Sequence, residues 1–302
     1  MTLDYAKLLP RELLELMESY GISSELYNSP SAAFLRPNPR AGISKEELEE
    51  LLGTQLTEIN VAGYLKYYRN EGRYLPVLAN FDSLLKAGFI HIADIASAAP
   101  VVALSPDPCS EIVDLCAGAG GKTILLHDLV PDASIDAIDI SGHMFEVLQK
   151  NRERYEAIFR AFNADATSWQ GDYDFAIADV PCPSDGNLSL MRRRFRQHGI
   201  SDTWHRITEL KSQLQPVSER IAINAYNLLR PGSAMVYSTC TMIPEFNEGV
   251  VAHLLDIGGI VEQSNIDGIH LIESKIIGGT YLVDPALNCS KIIYYAKIRK
   301  PL

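Results

Sequence analysis

From about residue 105 onward, the chain alternates short apolar segments with longer segments of helical periodicity. The segments 111–115, 134–140, 175–178 and 234–238 predict strands, and segments from about 122, at 142–157 and at 207–229 predict helices. Apolar strands that alternate with helices are typical of a parallel sheet covered on both faces. We therefore predict a doubly wound α/β domain over residues 106–302.

The first 105 residues follow a different pattern, which predicts a small α+β domain. Residues 10–20 carry apolar side chains at helical spacing, and residues 33–36 form a short extended segment. Ser44 followed by Glu47 predicts a capping box that opens a second helix, and Gly53 would end it. A length of 302 residues agrees with two domains.

Composition excludes several classes of protein. A hydrophobic share of 47% with 22% charged residues indicates a globular core and not a disordered chain. We expect no membrane-spanning helix and no signal peptide, and hence a cytoplasmic protein. The five cysteines are scattered and contain no CxxC pair, so we expect neither a disulfide framework nor a metal site. The net charge of −11 argues against nucleic-acid binding through bulk charge.

A glycine-rich turn joins the first predicted strand of the α/β domain to the next helix. Residues 114–123 read DLCAGAGGKT, and such glycines let the backbone approach a ligand beside a helix N-terminus. The phosphate-loop pattern fails because its first glycine falls on Cys116, and the dinucleotide pattern fails because its last glycine falls on Thr123. Asp139 is placed to accept hydrogen bonds from ribose hydroxyls. Asp165 either accepts a hydrogen bond from an adenine amino group or is a turn residue. The turn predicts a nucleoside-type site, with a purely structural turn as the alternative.

Two cysteines follow predicted strands at the same edge of the sheet as the glycine-rich turn. Cys182 comes after Asp179 and the strand at 175–178, and Cys240 comes after the strand at 234–238. Such cysteines are often small buried residues, yet this set also suits alkylation of a pyrimidine at C5. A thiolate adds to C6, a second group assists loss of the C5 proton, and a carboxylate stabilises the ring. The spacing alone leaves open which thiol is the nucleophile.

These motifs resemble the RNA cytosine-5 methyltransferase family, which includes bacterial ribosomal RNA methyltransferases and the NOL1/NOP2/Sun proteins. The resemblance is carried by DLCAGAGGKT at 114–123, DVPC at 179–182, YSTCT at 237–241, PEFNE at 244–248 and LRPN at 35–38. It implies a Rossmann-like methyltransferase domain that uses S-adenosylmethionine to methylate cytosine C5 in rRNA or tRNA. By resemblance, Cys240 is the nucleophile, Cys182 assists release, and Asp179 contacts the target cytosine.

The resemblance also assigns the residues around S-adenosylmethionine. These are Cys116, Ala117, Gly118, Ala119, Gly120, Gly121, Lys122, Asp139, Asp165 and Asp179. Two segments depart from the family pattern: residues 183–186 read PSDG in place of S-G-x-G, and residues 291–294 read KIIY in place of D-G-F-F. One alternative is therefore a partly degenerate member that acts as a binding or scaffold subunit of an RNA-modifying complex. Another is a methyltransferase for a different nucleophile, with both cysteines structural.

A basic segment between the two cysteine motifs offsets the acidic balance locally. Residues 183–215 contain six basic and three acidic side chains, which gives a local charge of +3. We predict that Arg192, Arg193 and Arg194 contact RNA phosphates, with Phe195 or Trp204 as a platform for a base. A solvated helix face is the alternative. RNA binding by the isolated chain is expected to be weak and sensitive to salt, and a protein partner would assist it.

Overall fold

The computed structural model describes residues 4–28, 32–70 and 75–302, apart from the side chain of Pro76, and within these ranges the chain forms two β-sheets. The small sheet is antiparallel, with β1 (Ala33–Pro37), β2 (Thr57–Val61), β3 (Leu65–Asn70) and β4 (Ile90–Ile92) in the order β2-β3-β1-β4. The helices of this part of the chain are α1 (Arg11–Ser19), α2 (Lys45–Leu52), α3 (Phe81–Lys86) and α4 (Ala98–Leu104).

The large sheet contains a run of five parallel strands. These are β5 (Glu111–Asp114), β6 (Ser134–Asp139), β7 (Arg160–Asn163), β8 (Tyr173–Asp179) and β9 (Leu229–Thr239). The helices between them are α5 (Gly121–Leu129), α6 (Gly142–Arg154), α7 (Leu188–His198) and α8 (Ile200–Asn227). Helix α9 (Glu248–Asp256) and the antiparallel strands β10 (Ile260–Glu262), β11 (Leu271–Glu273), β12 (Thr280–Val283) and β13 (Tyr294–Arg299) follow. The order is β11-β12-β13-β9-β8-β5-β6-β7, and β10 pairs with β13.

The predicted doubly wound α/β architecture is confirmed. Strand β5 pairs in parallel with β6 on one side and with β8 on the other, so the direction of winding reverses beside β5. In doubly wound sheets, ligands bind at the carboxyl ends of the strands at such a reversal. The glycine-rich turn follows β5 directly and therefore lies where this fold places its ligands.

Most predicted elements occur within a few residues of their expected bounds, and the capping box of α2 is present. The strand predicted at 234–238 begins earlier, at Leu229, so that residues 230–232 lie inside β9. The pairing of β9 with β8 is irregular there, because the register shifts between Tyr173 and Phe175. Nothing in the sequence pattern predicts the antiparallel strands β10 to β13.

The first 105 residues contribute to three hydrophobic clusters, one of which, with Leu48 and Phe81, contains residues of this part of the chain alone. Leu13 and Met17 of α1 pack in one cluster with Phe246 near α9. Phe34 and Tyr67 of the small sheet belong to a second cluster, which also contains apolar residues of β5, β6 and α4. Both sheets thus share buried contacts, and a domain boundary between residues 105 and 106 stays a prediction.

Within residues 4–28, 32–70 and 75–302, no helix is both long enough and apolar enough to cross a membrane. The longest helix of these segments, α8, has 28 residues and carries charged side chains and an internal Pro216. The same segments hold no group of three histidine, cysteine, aspartate or glutamate side chains suited to a metal ion.

A buried ion-pair network joins the small sheet to helix α5. Arg36 of β1 is 4% exposed and pairs with Asp128, which also lies 2.6 Å from Arg40. Arg40 Nε in turn donates to the backbone oxygen of Tyr155 at 2.8 Å. Burial opposes ionisation of Asp128, but hydrogen bonding by His127 and the guanidinium charges outweigh it and lower its pKa to about 2. The LRPN segment therefore ties the small sheet to the helix that begins at the glycine-rich turn.

We predict that Asp128→Asn lowers the free energy of unfolding by about 3–5 kcal/mol, because the buried guanidinium group of Arg36 loses its counter-charge. Urea denaturation followed by circular dichroism measures this loss. The depressed pKa means that the wild-type carboxylate contributes stability above its unfolded value of 3.8. That contribution is lost as the pH falls from about 4 to about 2, so the difference between wild type and variant shrinks there.

Arg11→Ala is the control, since it removes only an exposed pair with Glu15 and should change stability by less than about 0.5 kcal/mol. A loss for Asp128→Asn as small as that of the control would contradict the role given to the network.

Candidate active site

The glycine-rich turn forms an open backbone cradle at the carboxyl end of β5. Gly118 and Gly120 have φ of 54° and 88°, a region that favours glycine. A Cβ atom placed on Gly118 or Gly121 would meet no other atom within 4 Å, so the space above the backbone is open there. Helix α5 begins at Gly121, and its first N–H groups face the same region. The turn thus combines a defined backbone with room for a ligand.

Two carboxylates stand at the ends of the neighbouring strands. Asp139, at the end of β6, accepts hydrogen bonds from the N–H groups of Gly118 and Ser141, both at 2.8 Å. Asp165, after β7, accepts from the N–H and the hydroxyl of Thr167, also at 2.8 Å, and these bonds lower its pKa. Asp139 therefore contacts the glycine-rich turn directly, whereas the contacts of Asp165 are those of a turn residue.

Lys122 links the glycine-rich turn to the strand end that carries Asp179. Its Nζ lies 2.5 Å from Asp179 Oδ2, and the hydroxyl of Ser238 donates to Asp179 Oδ1 at 2.7 Å. Burial opposes ionisation of Asp179, but the charge and the hydrogen bond of Lys122 outweigh it and lower the pKa of this carboxyl. Asp179 is therefore a carboxylate at neutral pH.

The two cysteines from the strand ends are in direct contact. Strands β8 and β9 pair with Asp179 opposite Ser238, and the loops that follow bring Cys182 Sγ within 3.1 Å of Cys240 Sγ. Hydrogen bonding by Cys182 lowers the pKa of Cys240 to about 7, whereas the same contact, together with burial, raises the pKa of Cys182. Of this pair, Cys240 is the thiol that ionises first.

A buried carboxylate holds the loop of Cys182 against the loop of Cys240. Asp185 is fully buried and accepts hydrogen bonds from the Thr241 hydroxyl and, at 2.9 Å, from the Met242 N–H. The N–H of Gly186 donates to the Cys240 carbonyl at 3.0 Å. A Cβ on Gly186 would lie 2.8 Å from that oxygen, so this position requires glycine. The PSDG segment, although it departs from the family pattern, still forms a closed loop that positions both thiols.

A cavity of about 230 Å³ opens between the glycine-rich turn and the small sheet. Its wall includes Cys116 and Lys122 of the turn, Asp179 of the strand end, and Arg36 and Lys291 from outside the predicted site. Burial raises the pKa of Cys116, so this thiol stays protonated. The cavity therefore places cationic and anionic side chains next to the open cradle of the turn.

The residues predicted from the sequence to form the site do not include Ser184, Ser238 or Lys291. Ser184 Oγ lies 3.4 Å from Cys240 Sγ, and Lys291 lines the cavity beside Asp179. The signal for Ser184 and Lys291 is their presence in the two segments that depart from the family pattern. Ser238 carries no such signal, because its contact depends on the register of two strands.

The arginines of the basic segment, which covers helix α7 and the start of α8, do not all lie on one surface. Arg193 and Arg194 line a groove of about 700 Å³ together with Arg206 of α8. Arg192 lies outside the wall of this groove. Phe195 is 4% exposed and packs between two tyrosine rings, so it is not a platform for a base, whereas the same role for Trp204 stays a prediction. Two of the three predicted arginines, Arg193 and Arg194, therefore line the groove, and the third arginine in its wall, Arg206, comes from the next helix.

Comparisons with known protein sequences identify a family. The model for 16S rRNA methyltransferase RsmB/F matches residues 101–299. Ribosomal RNA small subunit methyltransferase B of Yersinia pseudotuberculosis is 30% identical over 234 residues, which cover 76% of this chain and 52% of that protein. The protein of the same name from Erwinia tasmaniensis is 25% identical over 228 residues, or 74% of this chain and 49% of that protein. The chain thus spans about half the length of the curated relatives it matches.

Solved structures share the fold. NSun6 from Pyrococcus horikoshii, crystallised with SFG, superposes with a TM-score of 0.76 at 17% identity, covering 97% of this chain and 98% of that chain. A methyltransferase homolog protein from the same organism gives a TM-score of 0.70 at 22% identity, covering 97% and 100%. The prediction of a Rossmann-like methyltransferase fold is confirmed.

We predict that iodoacetamide alkylates Cys240 with an apparent pKa of about 7 and reacts more slowly with Cys182 at neutral pH. Since the hydrogen bond from Cys182 is the main cause of the lowered pKa, Cys182→Ala should slow alkylation of Cys240 at pH 6 by roughly tenfold. Peptide mass spectrometry follows each thiol, with the exposed Cys109 as an internal reference. Identical pH profiles of Cys240 in wild type and variant would contradict the assignment.

Proposed function

This chain belongs to the 16S rRNA methyltransferase RsmB/F family, and we propose that it transfers a methyl group from S-adenosylmethionine to C5 of a cytosine in RNA. The observation that carries the proposal is the pair of thiols 3.1 Å apart, Cys182 and Cys240, beside the ionised Asp179. Curated relatives are named ribosomal RNA small subunit methyltransferase B, which favours ribosomal RNA as the substrate.

The residues of the glycine-rich turn fit S-adenosylmethionine. Open space above Gly118 and Gly121, next to the carboxylate of Asp139, suits a nucleoside. In the proposal the cofactor is held by residues 116–122, Asp139, Asp165 and Asp179. When bound, it supplies an electrophilic methyl group. Its analogue SFG was crystallised with NSun6 from Pyrococcus horikoshii, which shares the fold.

Cys240 is the nucleophile in this proposal. Its lowered pKa gives a substantial thiolate fraction at neutral pH, and the thiolate adds to C6 of the cytosine. As the C6–S bond forms, the C5–C6 π electrons become available at C5 for attack on the methyl group. Asp179, kept ionised by Lys122, accepts a hydrogen bond from the exocyclic amine and orients the ring.

Release of the product requires the reverse of the addition. A base takes the C5 proton, the C5–C6 double bond re-forms, and the C6–S bond breaks with its electrons returning to sulfur. The raised pKa of Cys182 keeps this thiol protonated. From a distance of 3.1 Å, it donates a hydrogen bond to the departing Cys240 sulfur. Cys182 thereby assists release without being the group that attacks C6.

We predict that Cys240→Ser lowers methyl transfer to ribosomal RNA by about 10³-fold or more, because a serine hydroxyl is a far weaker nucleophile. Cys182→Ala is predicted to accumulate a protein–RNA adduct that survives denaturing electrophoresis, because release is slowed. Transfer of labelled methyl from S-adenosylmethionine measures the first effect.

Cys109→Ser, an exposed cysteine outside the site, is the control and should retain full activity. A wild-type protein that binds S-adenosylmethionine but methylates neither ribosomal nor total RNA would contradict the proposal and favour the scaffold alternative.

The arginine groove extends the proposed site toward RNA phosphates. Arg193, Arg194 and Arg206 line it, and Arg194 Nη1 donates to the Pro183 carbonyl at 3.2 Å, one residue from Cys182. The groove therefore opens beside the thiols. Arginine contacts to phosphate are independent of base sequence and position the RNA. They explain how a chain of net charge −11 binds a polyanion through a local surface.

Replacing both Arg193 and Arg206 with glutamine is predicted to weaken RNA binding. The slope of log affinity against log salt concentration should become shallower by about 0.7–0.9 for each phosphate that an arginine no longer neutralises. Filter binding between about 50 and 200 mM salt measures it. Arg192→Gln is the matched control from the same helix but outside the groove. Equal slopes for control and double variant would contradict the assignment of the groove.

A further inference from the structure

Ser184 has an unusual backbone conformation for its residue type. Its φ is 65°, in the left-handed region, where a residue with a Cβ atom costs about 1–2 kcal/mol more than in the right-handed region. Glycine would adopt this conformation without strain. A strained serine in a loop that positions two thiols points to a function of its side chain.

The hydroxyl of Ser184 has two partners, both in the thiol pair. Ser184 Oγ lies 3.3 Å from the Cys182 carbonyl oxygen, to which it donates, and 3.4 Å from Cys240 Sγ. With Cys240 protonated, the thiol donates to the hydroxyl. Once Cys240 ionises, its sulfur is only an acceptor, and rotation of the hydroxyl turns the proton from the carbonyl to the sulfur. Hydrogen bonds to an anion are stronger than those between neutral groups, so this rotation favours the thiolate.

We propose that Ser184 donates a hydrogen bond to the Cys240 thiolate and keeps it ionised and aimed at the substrate. The inference rests on the proposed function for the role of Cys240 as nucleophile, and it assigns Ser184 a catalytic part in that reaction. Addition to C6 removes the charge from sulfur, and the hydroxyl returns to the Cys182 carbonyl. Release restores the charge, and the hydroxyl donates to sulfur again.

The pKa of Cys240 agrees with this role. Hydrogen bonding by Cys182 is the largest cause of its lowering. Hydrogen bonding by Ser184 and the charge of Lys291 also lower this pKa, whereas burial and the charge of Asp179 raise it. Two donors thus share the thiolate. The position of Ser184 is fixed by the neighbouring Asp185, which is fully buried and accepts hydrogen bonds from Thr241 and Met242.

Ser184→Ala and Ser184→Gly together test the proposal. Both substitutions remove the hydroxyl, but only glycine also removes the backbone strain of the left-handed conformation. We predict that each raises the apparent pKa of Cys240 by about one unit and slows its alkylation by iodoacetamide at pH 6 by about tenfold. Peptide mass spectrometry measures this without RNA. Urea denaturation should show the glycine variant to be more stable than the alanine variant, which separates backbone strain from loss of the hydroxyl.

Ser212→Ala is the matched control, because it removes an exposed hydroxyl that bonds the Glu209 carbonyl on α8. The pH profile of Cys240 alkylation in this variant should equal that of the wild type. An unchanged profile in both Ser184 variants would overturn the proposal, as would a shift in the alanine variant alone, since backbone geometry would then be the cause. Shifted profiles in a protein that methylates no RNA would support the contact and count against the proposed function instead.

Discussion

The parallel register of β8 and β9 determines which side chains meet at the candidate active site. Asp179 pairs with Ser238 across the two strands, and Cys182 and Cys240 follow these residues within three positions, just beyond the strand ends. Side chains alternate between the faces of a sheet, so a slip by one residue would turn these partners away from each other. Lys122 enters the same place from the glycine-rich turn. One backbone register therefore gathers a carboxylate, its cation and two thiols from distant parts of the chain.

The sequence predicts this edge of the sheet well because its signals are local. Apolar strands, a glycine-rich turn and helix caps each depend on a few neighbouring residues, and the parallel fold then brings the strand ends together. Direct contact between Cys182 and Cys240 is not predicted by such local signals. It depends on loop closure by the buried Asp185, which bonds to the residues that follow Cys240. No local pattern shows that pairing, nor the short antiparallel strands that complete the sheet.

The basic segment shows that residues adjacent in sequence need not lie on the same surface of the folded chain. Successive residues of a helix point about 100° apart, so a run of three arginines spreads over about 200° of the helix surface. On α7 the buried face contains Leu188, Met191 and Phe195, at spacings of three and four residues. That spacing explains why Phe195 is a core residue. The arginine groove is instead built from two helices, with Arg206 supplied by α8, and this gives an acidic chain a local basic surface.

The proposed reaction requires a covalent bond between the Cys240 sulfur and C6 of the target cytosine. RNA that carries 5-fluorocytidine tests this bond directly. A base cannot remove the fluorine at C5 as it removes a proton, so the adduct is trapped after methylation. Mass spectrometry of the protease-digested complex then identifies the attached residue. We expect an adduct at Cys240 that forms only with S-adenosylmethionine present. An adduct at Cys182, or trapping of neither thiol by an RNA whose unmodified form is methylated, would contradict it.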